Sequence, residues 1–295
     1  MTEAAYPLAP TGGTTSEAVH PVDQRLPLPR LVALGLQHVL VMYAGAVAVP
    51  LIIGAALKLP KEQVALLISC DLFVSGLASL IQSVGLWRFG IRLPVIMGVT
   101  FAAVGPMVAM AGDSALGLPG ILGATIAAGL FTILVSPFIS RLLPLFPPVV
   151  TGTIITVIGV SLAGVGINWA AGGVGNPNFG RPLYLGVALL VLVSILLIAK
   201  FARGFLRNIS VLLGLVIGMA IAIALGEVDF GRLGAASWVA PVYPFQFGLP
   251  SFDPVAIATM CVVMIVVMIE SLGMFLALGE ITDRPIHTDS LIPAL

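Results

Sequence analysis

Charged residues are scarce in this sequence. Only 9% of the 295 residues are Asp, Glu, Lys or Arg, whereas soluble globular chains carry about 25%. Hydrophobic residues make up 59% of the chain, and the mean hydropathy is +1.15. This composition excludes an ordinary soluble domain and indicates an integral membrane protein.

Basic blocks, cysteine frameworks and enzyme motifs are missing as well. The formal net charge is zero, so nothing points to nucleic acid as a partner. The two cysteines, Cys70 and Cys261, lie in apolar stretches, which argues against a disulfide framework or a metal site. Because no zinc-protease, serine-hydrolase or P-loop pattern occurs, we expect neither an enzyme nor a cofactor.

The N-terminal segment has no apolar h-region, so it is not a signal peptide. Residues 1–30 are rich in Pro, Gly, Thr and Ala and predict a polar tail. Hydropathy then predicts eight membrane spans after this tail. Their ranges are about Leu31–Ile53, Val64–Gln82, Pro94–Ala111, Leu118–Phe138, Pro148–Ile167, Leu183–Lys200, Ile209–Leu225 and Pro254–Leu278.

The charges between the spans predict the orientation of the chain, because cytoplasmic loops carry an excess of Lys and Arg. With the N-terminus inside, the cytoplasmic side carries Arg25, Arg30, Arg88, Arg92, Arg141, Lys200, Arg203, Arg207 and Arg284. The opposite side then carries only Lys58, Lys61, Arg181 and Arg232. We therefore expect a cytoplasmic N-terminus.

The eighth span carries an acid at membrane depth. Asp253 is its predicted N-cap, Pro254 occupies the first helical position, and Glu270 lies about two thirds of the way along. A charge at this depth costs roughly 2.5–3.5 kcal/mol or more, so an intramembrane acid usually faces a cavity or a partner and is a candidate functional residue. The alternative is a protonated Glu that only hydrogen-bonds to a neighbouring helix.

Polar residues also occur in the first two spans. Gln37 and His38 lie in the first turns of span one, and Gly45 shares a face with His38 because it lies seven residues further on. A binding cavity and a satisfied core histidine both remain open for this pair. In span two, Asp71 is either a proton site or a hydrogen-bonding residue that supports another helix, and we favour support.

The third span is too short and too interrupted for an ordinary crossing helix. We expect Val95–Thr100 to be extended and a half-helix to begin at Phe101, because Pro, Gly and β-branched residues cluster here. Non-helical backbone at membrane depth is tolerated where it lines a cavity, and the half-helix N-terminus favours an electron-rich ligand. The alternative is a single helix kinked by Pro and Gly.

Four motifs resemble the nucleobase–ascorbate transporter family (nucleobase:cation symporter-2), in its bacterial urate/xanthine permease branch. They are LQHVLVMYAGAVAVPLIIG, CDLFVSGLASLIQ, GVTFAAVGPM and MIVVMIESLGMFLALGEITDRP, and the resemblance runs from about Leu26 to Arg284. It implies an all-α polytopic membrane protein with a seven-plus-seven inverted-repeat fold, of which about eight spans are present. Core spans one to four and eight would then be separate from gate spans five to seven.

The resemblance implies a division of this chain into segments. These are a cytoplasmic tail (1–30), core spans one to four (31–138), gate spans five to seven (148–225), a loop (226–253), core span eight (254–279) and a cytoplasmic tail (280–295). The family's acid in span nine and its Gln-Asn signature in span ten would lie beyond Leu295. We therefore expect the chain to correspond to the N-terminal part of such a transporter.

The resemblance also implies roles for individual residues. Glu270 would hydrogen-bond the nucleobase ring, Phe101 would contact it, Thr100 would tune the urate/xanthine preference, and His38 would support the pocket. The full set of expected substrate-binding residues is Glu270, Phe101, Thr100, His38, Gln37, Ser271 and Gly45. Glu270 and Asp71 are the candidates for proton coupling, and no metal ligand is expected.

The expected function is proton-coupled symport of uric acid, xanthine or both across the cytoplasmic membrane. The alternatives are a uracil permease of the same fold and a truncated membrane protein without transport activity. Met274 argues against uracil, since uracil carriers tend to have a histidine one turn beyond the glutamate. The expected partners are a purine nucleobase, a proton, the lipid bilayer and a second copy in a homodimer.

Overall fold

The computed structural model describes residues 20–24, 26–87, 89–138, 148–173, 176–228, 230–231 and 241–284. Helices are the regular secondary structure of these ranges, as predicted for an all-α membrane protein. They are α1 (Leu28–Ala56), α2 (Lys61–Val84), α3 (Val104–Ala111), α4 (Gly117–Val135), α5 (Pro148–Ala170), α6 (Pro182–Phe201), α7 (Ser210–Ala224) and α8 (Pro254–Ile281). Short helical segments occur at Pro21–Asp23, Phe101–Ala103, Ser136–Phe138 and Phe205–Asn208.

The predicted spans correspond to these eight helices. Six helices are long and apolar enough to cross a membrane, and two shorter apolar ones, Phe101–Ala111 and Ser210–Ala224, correspond to spans three and seven. The chain is therefore a multi-pass membrane protein. Four of the predicted loop cations lie outside the described residues: Arg25, Arg88, Arg141 and Arg232. Most of the two predicted tails lies outside them as well.

Two helices extend a few residues beyond the approximate spans predicted for them. Helix α1 begins at Leu28 instead of Leu31, because Pro29 in its first turn has a backbone geometry suited to a helix start and needs no amide acceptor there. Helix α8 continues to Ile281. Its N-terminus is as predicted: Asp253 accepts a 2.8 Å hydrogen bond from the amide of Ala256, and Pro254 follows.

The break in the third span is confirmed. Residues 95–100 are not helical, Thr100 is extended (φ −101°, ψ 136°), and helical structure begins at Phe101. The helical part, Phe101–Ala111, would extend about 16 Å at ~1.5 Å per residue, roughly half of a ~30 Å hydrocarbon core. The third span is therefore a half-helix preceded by non-helical backbone.

Helix α8 packs against α4 through small side chains. Ala124 and Ala128 are fully buried on α4, and Met260 on α8 is 1% exposed in the same cluster. Gly123 faces the loop before α8: a Cβ atom at this position would collide with the carbonyl oxygen of Ser251. The two helices can therefore approach closely along this face.

A second helix pair is formed by α6 and α7. Gly214 and Gly218 of α7 lie against the side chains of Ile195 and Val191 of α6, and a Cβ on Gly218 would be 3.1 Å from Val191 Cγ2. This face of small residues on α7 is thus covered from within the chain. Helix α1 packs against α2, α3 and α7, so it connects this pair to the remaining helices.

The N-terminal segment lies beside the end of α8. Arg284 Nη1 is 3.2 Å from Asp23 Oδ1, and His20 Nε2 is 3.4 Å from the carbonyl oxygen of Asp283. These residues are exposed, so the ion pair adds little stability, typically about 0–1 kcal/mol. It does show that residues 20–23 and the end of α8 lie on the same side of the helices.

Candidate functional site

The start of the half-helix is capped by a residue expected in the substrate site. The Thr100 side chain accepts a 3.1 Å hydrogen bond from the amide of Ala102, as an N-cap does. Thr100 is half-buried. Its hydroxyl therefore has a structural role at the point where a ligand would meet the helix N-terminus.

Phe101 lies against a glycine of α1. A Cβ atom built on Gly45 would be 3.9 Å from Cε2 of the Phe101 ring, an ordinary van der Waals contact. The ring is 39% exposed. The structure thus brings together Gly45 and Phe101, two of the predicted site residues from separate spans.

Glu270 lies where α8 changes its packing partner. Before it, Val263 and the partly buried Val267 pack with Ala103 of the half-helix. A second cluster, whose α8 residues lie both before Glu270 (Met268, Ile269) and after it (Leu272, Phe275), packs against Val95 and Met97 of the non-helical segment. Glu270 is therefore level with the break in the third span, close to the junction of its two parts.

The Glu270 carboxylate is half-buried. Within the described ranges it makes no hydrogen bond or ion pair. Gly273, one turn further on, is exposed and has open space where a Cβ would lie, and Met274 is 58% exposed. The face around the acid is therefore accessible and lined by small or flexible residues.

The other predicted residues are not brought together in the same way. His38 is exposed and Gln37 is half-buried on α1, about two turns before the Gly45 contact. Ser271 is half-buried on α8. On α2, the Oδ2 atom of Asp71 is buried and has no hydrogen-bond partner in the part of the chain that is described.

Three cavities are present elsewhere on the described surface. The largest, about 600 Å³, lies beside the α1–α2 turn and includes Leu57, Gln63 and Pro119. A more apolar one, about 410 Å³, separates α2 from the loop before α8, and a third of about 230 Å³ lies between α6 and its neighbours. None of these three is lined by a predicted site residue. In the described ranges no group of three His, Cys, Asp or Glu side chains is placed to hold a metal ion.

Sequence reasoning missed the side chains of α2 that hold the non-helical segment. Ser79 exchanges two hydrogen bonds with the backbone of Met97, and Ser83 donates one to the carbonyl oxygen of Val95. The available signal was the four-residue spacing of these serines, which places them on one helix face.

Comparison with known proteins agrees with the family resemblance that the sequence motifs indicate. Residues 29–293 match the model of the Permease family. The chain is 57% identical over 275 residues to the uric acid transporter UacT of Escherichia coli (strain K12), an alignment that covers 93% of this chain and 57% of that protein. It is 45% identical over 255 residues to the xanthine permease of Bacillus subtilis (strain 168), with 86% and 58% covered.

A third relative is the nucleobase transporter PlUacP of Paenibacillus larvae subsp. larvae (strain NRRL B-3650 / LMG 16245). It is 46% identical over 265 residues, covering 89% of this chain and 60% of that protein. The chain thus spans less than two thirds of the length of these curated relatives. All three are named as transporters or permeases and not as enzymes, in agreement with the absence of enzyme motifs in the sequence.

Proposed function

The chain belongs to the Permease family, within the bacterial urate/xanthine branch of the nucleobase–ascorbate transporters, and on that premise we propose that it takes part in purine nucleobase uptake. The proposed substrates are uric acid, xanthine or both. The relatives named above support a purine, since they are a uric acid transporter, a xanthine permease and a nucleobase transporter.

The observation that carries the proposal is the position of Glu270 beside the break in the third span. A half-helix N-terminus has amide groups without helical acceptors and the positive end of a dipole. A carboxylate close to it accepts hydrogen bonds. Uric acid and xanthine carry both ring N–H donors and carbonyl acceptors, so a donor wall at Phe101 and an acceptor at Glu270 suit their edges.

The proposed site extends from these two walls to the other expected residues. Glu270 accepts ring N–H groups, while the Phe101 ring and backbone contact the base next to Gly45. Thr100 and Ser271 tune which purine is accepted, and Gln37 and His38 of α1 close the pocket. Support for the α1 contribution comes from the contact between Gly45 and the Phe101 ring.

Transport would be coupled to protons and would occur in the cytoplasmic membrane, with the N-terminus inside and two copies in a homodimer. Protonation of Glu270 or Asp71 would change purine affinity between the inward and outward states. The core, made by α1 to α4 and α8, would move against the gate, made by α5 to α7. The close α4–α8 and α6–α7 pairs support this division.

The test is equilibrium binding of radiolabelled urate and xanthine to the purified chain in lipid nanodiscs, with unlabelled uracil as a competitor. Saturable binding of either purine that uracil does not displace is the expected result. Displacement by uracil at similar concentration would favour a pyrimidine permease. Absence of saturable binding by well-folded protein would overturn the proposal and favour a non-transporting membrane protein.

Uptake of the same purines, with and without a proton gradient, separates transport from binding. We expect no uptake by this chain alone, and uptake that an uncoupler abolishes by a version that also spans the remaining length of the relatives. Uptake that depends on a sodium gradient instead would show the proposed proton coupling to be wrong.

A further inference from the structure

One face of α2 carries a stripe of polar side chains. Asp71, Ser75, Ser79 and Ser83 follow one another at intervals of four residues, so consecutive members are neighbours on the helix surface and the stripe winds slowly around the helix. Ser75 is 5% exposed, and the Oδ2 atom of Asp71 is buried. Polar side chains inside an apolar span favour polar partners, and the non-helical segment of the third span supplies them for Ser79 and Ser83.

Two residues of this stripe bind that segment. The Ser79 hydroxyl accepts a 2.7 Å hydrogen bond from the amide of Met97 and lies 3.3 Å from its carbonyl oxygen, to which it donates. The Ser83 hydroxyl donates to the carbonyl oxygen of Val95 at 3.1 Å. Two helix side chains thus serve as hydrogen-bond partners for backbone groups of the non-helical segment.

The two contacts are separated by similar distances along the helix and along the segment. Four residues of a helix rise about 6.0 Å, and two residues of an extended chain rise about 6.6 Å. The steps from Ser83 to Ser79 and from Val95 to Met97 therefore match closely. The helix and the segment run in opposite directions, because Ser83 contacts Val95 and Ser79 contacts Met97. The Asp71 end of the stripe therefore lies toward Thr100 and Phe101.

A comparison within α2 shows that these contacts are not the default for a helical serine. Ser69 donates to the carbonyl oxygen of Ala65 in its own helix at 3.0 Å, as helical serines commonly do. Ser79 and Ser83 instead bond across to another segment. These bonds satisfy backbone groups of the segment that would otherwise need another partner.

The same segment touches α8 on its other side. Val95 and Met97 pack against the α8 cluster that contains Met268 and Ile269, immediately before Glu270. The segment is therefore held between α2 and α8, and a shift along its axis would move Thr100 and Phe101 relative to Glu270.

We propose that Ser79 and Ser83 are positioning residues that set the depth of Thr100 and Phe101 relative to Glu270, and thereby determine purine affinity and selectivity. Neither serine touches the purine. The inference rests on the proposed function, since it concerns the geometry of the same site. It assigns to α2 a role that the predicted site residues do not include.

The test compares Ser79→Ala, Ser79→Thr, Ser83→Ala and the matched control Ser69→Ala in lipid nanodiscs. Purine binding is measured only on the monodisperse, folded fraction, so that lower yield alone does not count. One hydrogen bond contributes about 1 kcal/mol, or about fivefold. We expect binding of the preferred purine by Ser79→Ala to weaken by about five- to twentyfold, with a changed urate-to-xanthine ratio.

The other variants test whether the lost hydrogen bonds are the cause of the weaker purine binding. Ser83→Ala should weaken binding less than Ser79→Ala, because it removes one bond and not two. Ser79→Thr keeps the hydroxyl and should restore the wild-type ratio, and Ser69→Ala should leave affinity and ratio unchanged. Wild-type affinity and ratio in both alanine variants at positions 79 and 83 would overturn the inference.

A second measurement does not depend on purine binding. Hydrogen exchange of the amides between residues 95 and 100 should become faster in Ser79→Ala and stay unchanged in Ser69→Ala. A wild-type chain that binds no purine would overturn the proposed function, and this exchange would then decide whether the serines hold the segment. Unchanged exchange in Ser79→Ala would overturn that role as well.

Discussion

At the scale of single residues, Glu270 has no hydrogen-bond or ion-pair partner in the described ranges. It is an acid within an apolar helix, half-buried, beside the break of another span. A residue with only a packing role would not need an ionisable group, because a neutral polar side chain could serve at lower cost. This cost supports the proposal that the carboxylate accepts N–H groups of the ligand.

Replacement of Glu270 by Gln tests this explanation directly. Gln keeps the shape of the side chain but loses the charged acceptor, and hydrogen bonds to charged groups contribute about 1.5–3 kcal/mol. We expect urate and xanthine binding to weaken by about ten- to a hundredfold. The matched control is Glu280→Gln, an exposed acid near the end of the same helix. Equal effects of the two changes would indicate a general loss of helix stability.

Thr100 and Ser271 are expected to affect selectivity more than affinity. Thr100→Ala removes the side chain that accepts from the Ala102 amide, and Ser271→Ala removes the hydroxyl next to Glu270. Each should shift the ratio of urate to xanthine affinity by about fivefold, the effect of one hydrogen bond. Thr100→Ser keeps a capping oxygen and serves as the control. Equal loss for both purines would mean that these side chains only support packing.

At the scale of helices and segments, local patterns predicted much of the structure. Asp253 and Pro254 predicted the start of α8, and the cluster of Pro, Gly and β-branched residues predicted the break before Phe101. Both predictions rest on residues that lie close together in the sequence. The Ser79–Met97 contact joins residues 18 positions apart, and hydropathy carries no information about which segments meet at that distance.

Gly123 tests the close contact between α4 and the loop before α8. A Cβ here would collide with the Ser251 carbonyl oxygen, whereas a Cβ on Gly129 has nothing within 4 Å. Overpacking usually costs about 1–3 kcal/mol. Gly123→Ala should therefore lower the midpoint of thermal unfolding in detergent, measured by tryptophan fluorescence.

Gly129→Ala serves as the matched control in the same helix. It should leave the midpoint unchanged or raise it slightly, because Ala is about 0.8–1 kcal/mol more favourable than Gly in a helix interior. An unchanged midpoint for Gly123→Ala would show that the loop can move away without cost.

For the whole molecule, the residues that flank the first and the last helix constrain the number of crossings. Residues 20–23 and 283–284 are in contact, so they lie on the same side of the helices. An even number of crossings satisfies this, and eight spans, with the third broken and the seventh short, are an even number. The hydropathy pattern and the contact between residues 23 and 284 thus both agree with an even number of membrane crossings.

The orientation itself is the last prediction, and it follows from the loop charges. Lys58 lies in the turn between α1 and α2, and Arg203 follows α6; both are exposed. With the N-terminus inside, Lys58 is outside and Arg203 is cytoplasmic. Single cysteines at these positions, in a background with Cys70 and Cys261 replaced by Ala, report the side directly.

A membrane-impermeant maleimide should label Lys58→Cys in intact cells. Arg203→Cys should react only after the membrane is permeabilised. Labelling of both after denaturation controls for reactivity. The reverse pattern would place the N-terminus outside and would contradict the positive-inside rule for this chain. Because every loop alternates with the one before, this pair of measurements assigns the remaining loops between the eight spans as well.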